Sequence, residues 1–92
     1  MKPNQIQIEL PENVSDGIYS NLIIIGSSAA EFILDFAKVV PGKQKAKINN
    51  RVILPPQVAK SLINLLDERI KDYENKFGEI KIFEKGKNTL GF

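Results

Sequence analysis

The chain has 92 residues, of which 42% are hydrophobic and 26% are charged, and its formal net charge is +2. This length fits one domain with a thin core, and the composition is neither that of a disordered segment nor that of a membrane span. The sequence contains no Cys and no His, the commonest transition-metal ligands and the commonest general base. We therefore expect no enzyme, no metal site and no cofactor.

We expect a single α+β domain over residues 1–92, ordered over about 4–83, with residues 84–92 frayed. The N-terminal segment has no apolar run behind Lys2. This pattern predicts no signal peptide and a cytoplasmic protein that does not contact membranes.

The first predicted element is a strand over residues 4–10. The segment NQIQIEL alternates apolar and polar side chains, which is the period of a half-buried strand. Pro11 ends this strand, and residues 11–17 have the composition of a loop.

The most apolar stretch, residues 17–40, predicts a β-hairpin. Two β-rich runs, 18–25 and 31–40, flank a Gly-Ser-Ser-Ala-Ala segment at 26–30. If these five residues form the loop, Leu22 lies opposite Leu34 and Asn21 lies opposite Asp35.

Pro41-Gly42 suits the central positions of a type II turn and predicts a second hairpin. Its return strand, residues 45–54, alternates apolar residues with Lys45, Lys47, Asn49 and Arg51. We expect these four side chains to share one face.

A long helix follows Pro55-Pro56. Apolar residues recur at spacings of three and four up to Phe77, and Gly78 stands where a left-handed C-cap is expected. Residues 79–83 are a candidate for a last short strand. The predicted fold is α+β, an antiparallel β-meander of about four strands followed by one long amphipathic helix packed on one sheet face.

Asp35 and Glu31 are the acidic pair inside the apolar hairpin. A four-residue spacing along a strand separates them by roughly 13 Å, whereas a glycosidase pair needs about 5–9.5 Å. We expect Asp35 to pair across strands with Asn21 or with a lysine of the 45–54 strand, and we expect no catalytic residue.

The hairpin has two apolar faces, but a single helix covers only one. We therefore expect the second face to join copies of the chain in a homodimer or higher oligomer, with an apolar groove for another protein or an extended peptide. The interface candidates are Tyr19, Asn21, Ile23, Ile25, Ile33, Asp35 and Val39.

The alternative is a nucleic-acid-binding accessory protein. Residues 36–66 carry six basic residues and no acid, whereas residues 3–35 carry five acids and no base. The basic-face candidates are Lys43, Lys45, Lys47 and Arg51. Because no aromatic residue for base stacking lies between Lys45 and Arg51, a solvated or ion-paired strand face is favoured over a phosphate track.

Ordered blocks along residues 5–80 resemble a small prokaryotic family known as domain of unknown function 3467. The family's pattern comprises YSN, EFxLDF, PG, RxxxxPQxAK and YExxFG, which begin here at Tyr19, Glu31, Pro41, Arg51 and Tyr73. This resemblance implies no established activity, partner or cofactor.

Overall fold

The computed structural model describes residues 5–82. In chain order these residues form a short helix α1 (Glu12–Ser15), strands β1 (Leu22–Ser27), β2 (Phe32–Lys38) and β3 (Lys47–Leu54), and a long helix α2 (Pro56–Phe77). The chain divides between Pro55 and Pro56 into two units, which are described separately. This order confirms the α+β class. The single domain and the packing of the helix on the sheet stay predictions, and the frayed tail lies outside the described residues.

The sheet is an antiparallel meander of three strands in the order β1-β2-β3. The strand predicted over residues 4–10 is absent from the described part of that segment, and residues 79–82 also form no strand. Alternation gives a segment two distinct faces, but a strand also needs a neighbour for its backbone hydrogen bonds. Ile8 is accordingly 93% exposed.

The connection between β1 and β2 is tighter than the expected five-residue loop. The Ser28 amide donates to the Glu31 carbonyl at 2.9 Å, and the Ser28 hydroxyl oxygen accepts from the Ala30 amide at 3.2 Å. Ala29 and Ala30 alone therefore span the turn.

This short turn sets a register different from the expected one. Leu22 pairs with Ala37 rather than with Leu34, and Ile24 rather than Asn21 pairs with Asp35. The register is shifted by three residues, and an odd shift exchanges the faces of one strand relative to the other. The face assignment expected for the hairpin was therefore wrong.

The connection between β2 and β3 contains the predicted turn at Pro41-Gly42. The Lys43 amide donates to the Val40 carbonyl at 3.1 Å, and Gly42 has a φ of 86°. This positive φ at the third position is the signature of a type II turn, because a residue with a Cβ resists it.

The ladder between β2 and β3 contains a bulge. Phe36 pairs with Asn50 and Ala37 pairs with Ile48, so Asn49 has no partner residue in the register. Since the extra residue interrupts the alternation, Lys47 and Arg51 fall on opposite faces. The expectation that they share one face was wrong.

Helix α2 begins at Pro56, as predicted, since proline is tolerated in the first turn of a helix. It ends where Gly78 adopts a φ of 98° and donates its amide to the Glu74 carbonyl at 3.0 Å. This is the expected left-handed C-cap. The charged face carries an i,i+4 ion pair in which Lys71 Nζ lies 3.0 Å from an Asp67 oxygen.

Replacement of Gly42 by alanine tests the turn. Because alanine resists the positive φ, Gly42→Ala is expected to lower the free energy of unfolding by about 1 kcal/mol. Gly26→Ala is the matched control, since Gly26 lies in a strand without a positive φ and has open space where a Cβ would stand. Urea denaturation followed by circular dichroism measures both. Equal losses in the two variants would contradict the turn assignment.

Candidate functional site

The register gives the sheet two apolar faces of different character, because directly paired residues of an antiparallel sheet project to the same side. The ion-pair face consists of Leu22, Ile24, Ile33, Asp35, Ala37, Ile48, Arg51 and Ile53. The phenylalanine face consists of Ile23, Ile25, Phe32, Leu34, Phe36, Asn50, Val52 and Leu54.

The charged pair that names the first face joins β2 to β3. Asp35 and Arg51 are direct partners in the register, and Arg51 donates from Nε to Oδ1 at 2.6 Å and from Nη2 to Oδ2 at 2.8 Å. Both carboxylate oxygens are thus engaged by one planar guanidinium, which is the strongest geometry available to such a pair. Asp35 thus pairs across strands with the 45–54 strand, as predicted, but its partner is Arg51 rather than Asn21 or a lysine of that strand.

The carboxylate of Asp35 is shielded from water although it lies on a sheet face. Asp35 is 8% exposed, whereas the Arg51 side chain keeps 58% of its exposure. The hydrogen bonds from Arg51 lower the pKa of Asp35 below its ordinary value of 3.8, against the opposing effect of desolvation. The same contact raises the pKa of Arg51. At neutral pH the pair is therefore ionised and carries no net charge.

Apolar side chains surround this pair. Ile24 of β1 is the direct partner of Asp35. The next pair on this face of β2 and β3 is Ile33 with Ile53. Ile24, Ile48 and Ile53 remain 49%, 50% and 55% exposed. The ion-pair face is thus an apolar surface with a neutral, geometrically fixed polar centre.

The phenylalanine face carries a groove instead. Residues 13–18 lie over β2 and β3, and a cavity of about 560 Å³ separates this segment from the sheet. The lining residues are Asn13, Val14, Gly17, Ile18, Ser20, Phe36, Asn50 and Val52. Asp35 does not line the groove, since it projects to the other face.

Polar contacts near one end of the sheet attach the chain that precedes β1. The side-chain amide of Asn21 donates to the Val39 carbonyl at 3.0 Å, and its oxygen accepts from the Val39 amide at 2.7 Å. Asn21 therefore extends the ladder with a side chain in place of a backbone. The Tyr19 carbonyl accepts from the Asn49 side chain at 3.3 Å, so the chain passes over β3 before it enters β1.

The structure thus divides the interface candidates into three groups. Ile23 and Ile25 lie on the phenylalanine face, whereas Ile33 and Asp35 lie on the ion-pair face. Tyr19, Asn21 and Val39 stand outside the strands. Leu22, Ile24, Ile48 and Ile53 were not among the predicted candidates. The sequence signal for the placement of Leu22 and Ile24 is Ser28, whose hydroxyl favours a two-residue turn. The placement of Ile48 depends on the bulge at Asn49, which no sequence signal marks.

The basic candidates are dispersed. Lys43 and Lys45 lie in the connection before β3, and Lys47 is the first residue of that strand. Lys47 pairs with Lys38, and the Lys38 Nζ lies 5.8 Å from the centre of the Tyr19 ring. Arg51 projects to the opposite face, where its guanidinium holds Asp35.

These features define a small α+β protein whose meander sheet is apolar on both faces. The family model described as Protein of unknown function (DUF3467) matches residues 1–82. The chain belongs to this family, which confirms the resemblance seen in the sequence.

No curated protein and no solved structure matches the chain. Within residues 5–82, no helix combines the length and apolarity needed to cross a membrane.

The pH dependence of stability tests the ion pair. Because Arg51 lowers the pKa of the folded Asp35 carboxyl, its stabilising contribution is complete above the unfolded-state pKa near 3.8 and is lost as the pH falls through the lower folded-state value. Asp35→Asn is therefore expected to be less stable than the wild type at pH 6, with the difference shrinking as the pH approaches 2.

Denaturant unfolding at a series of pH values measures this difference. Arg51→Lys is the matched variant, since it keeps the charge but loses the bidentate geometry, and its stability should fall between those of the other two proteins. A stability difference between wild type and Asp35→Asn that is independent of pH would contradict the assigned role of the pair.

Proposed function

We propose that this protein is a cytoplasmic, non-enzymatic interaction module that forms a homo-oligomer through its ion-pair face. The observation that carries the proposal is the apolarity of both sheet faces. In residues 5–55, only Leu22, Leu34, Asp35 and Ala37 are buried, and a single amphipathic helix has one apolar stripe with which to cover a sheet. One apolar face therefore needs a partner molecule.

The ion-pair face suits this role better than the phenylalanine face. Half-exposed isoleucines lie on both faces. Residues 13–18 already lie over part of the phenylalanine face, whereas the isoleucines of the other face surround the Asp35–Arg51 pair. Burial of each such isoleucine in an interface contributes about 1 kcal/mol. Burial of the half-exposed Arg51 guanidinium has a desolvation cost, which the bidentate pairing with the shielded Asp35 carboxylate offsets in part.

A fixed polar centre also specifies the geometry of association. An apolar surface alone permits many orientations of a partner, whereas a buried polar group is satisfied in few of them. The Asp35–Arg51 pair would thus determine which arrangement of two copies is stable. The groove on the other face, with Phe36 and Val52 in its lining, offers a place for side chains of an extended peptide.

A second candidate function is binding of nucleic acid or another polyanion. Lys38 and Lys47 are direct cross-strand partners, and like charges in this position repel unless an anion lies between them. Lys43 and Lys45 stand in the adjoining connection. Nucleic-acid binding ranks below self-association, because Arg51 lies on the opposite face and its guanidinium is bound to Asp35.

Substitution on the ion-pair face tests the leading proposal. Ile24→Asp places a charge in the interface and should raise the dissociation constant of the oligomer at least about tenfold, equivalent to 1.4 kcal/mol. Light scattering over a dilution series measures the molar mass. Ile23→Asp is the matched control, because Ile23 is similarly exposed but projects to the other face. A wild-type chain that stays monomeric at micromolar concentration would refute self-association.

Charge reversal tests the second candidate. Lys45→Glu combined with Lys47→Glu should abolish retention on heparin and binding to mixed DNA and RNA, and wild-type binding should weaken steeply with added salt. Lys60→Glu, on α2, serves as a control in which a lysine outside the candidate residues is reversed. Absence of wild-type binding at low salt would exclude this function.

A further inference from the structure

The two edges of the sheet differ in how they are protected. The outer edge of β3 carries Lys47 and Arg51, contains a bulge at Asn49 and ends at Pro55-Pro56. Charges, bulges and prolines are the devices by which proteins prevent an edge strand from pairing with another chain. β1 has none of them, since its sequence is LIIIGS.

The open edge of β1 presents defined backbone groups. The Ser28 amide bonds to Glu31 across the turn, and hydrogen-bonding residues alternate along an antiparallel strand. The amides of Ile24 and Gly26 therefore face β2. Those of Ile23, Ile25 and Ser27 face outward, where no described residue pairs with β1.

The same chain contains a segment that has the pattern of a strand but no described strand to pair with. Residues 5–10 alternate Ile6, Ile8 and Leu10 with polar residues but pair with no described strand. Added to the open edge, this segment would satisfy the outward backbone groups and extend an apolar face of the sheet.

The path of the chain directs this segment away from its own β1. The Tyr19 carbonyl contacts Asn49 of β3, and residues 13–18 lie over β2 and β3. The segment that joins residues 5–10 to β1 therefore runs over β2 and β3 and does not follow the open edge of β1. Although the edge of β1 is open in the same chain, residues 5–10 do not pair with it.

We infer that residues 5–10 of one copy add as a strand to the open edge of β1 in a second copy. Strand donation presupposes the self-association proposed above and supplies it with a second contact. The sheet then gains its fourth strand from another molecule, and the edge that lacks protection is the edge that is used.

Amide exchange followed by NMR on the full chain tests this contact. In the oligomer the outward amides of Ile23, Ile25 and Ser27 should exchange at least tenfold more slowly than in a donor-blocked variant, Gln7→Pro with Ile8→Pro. Alternate amides of a strand face opposite edges, so two adjacent prolines remove one amide donor from each edge. The amides of Ile24 and Gly26 serve as internal controls, because they should stay protected in both proteins.

Gln7→Thr with Ile8→Val is the matched control variant, since it keeps both amides and the tendency to form a strand. It should retain the slow exchange at the outward positions. Isotope-labelled donor-blocked chain mixed with excess unlabelled wild type should regain protection at those positions, because only the other copy carries a donor.

Outward amides that exchange equally fast in the wild type and the donor-blocked variant would overturn strand donation. Protection that persists in the wild type upon dilution to the monomer would overturn it as well, because the donor would then be the chain's own segment. Slower amide exchange along the outer edge of β3, in place of β1, would also overturn strand donation. An oligomeric mass with unprotected outward amides would leave face-to-face association intact, whereas a monomeric mass at all concentrations would refute both contacts.

Discussion

The two-residue turn at Ala29-Ala30 decides the character of both sheet faces. Because the turn is bounded by the Ser28–Glu31 hydrogen bond, the ladder behind it has one register. That register places Ile24 beside Asp35 and Ile25 beside Leu34. A loop longer or shorter by one residue would exchange the faces of β1 and put Ile23 and Ile25 on the face that carries Asp35.

The bulge in β3 has an equivalent effect on the second ladder. By interrupting the alternation at Asn49, it lets Arg51 reach Asp35 while Lys47 faces Lys38. The result is a neutral ion pair among isoleucines on one face and a pair of facing lysines at the end of the other. The neutral face is suited to a protein partner, and the lysine cluster is suited to anions.

A three-stranded sheet is a small platform for a stable domain, since three strands with one covered face are about the minimum for independent stability. Here both faces are apolar, one edge is unprotected and a strand-forming segment stands unpaired. A second copy of the chain could satisfy all three features, because it carries an apolar face, an open strand edge and a segment that can pair as a strand. The self-association proposed above would satisfy all three without another component.

The sequence by itself determined the elements that depend on local chemistry. Pro41-Gly42 specified its turn, Pro56 and Gly78 bounded α2, and the family blocks identified the family. One of the two partners predicted for Asp35 lay on the correct strand, but the prediction named a lysine and the partner is Arg51. What only the tertiary structure decided was the pairing between distant segments. A strand alternates identically in every register, so the choice of face, the bulge at Asn49 and the absence of a neighbour for residues 5–10 depend on hydrogen bonds that no single segment encodes.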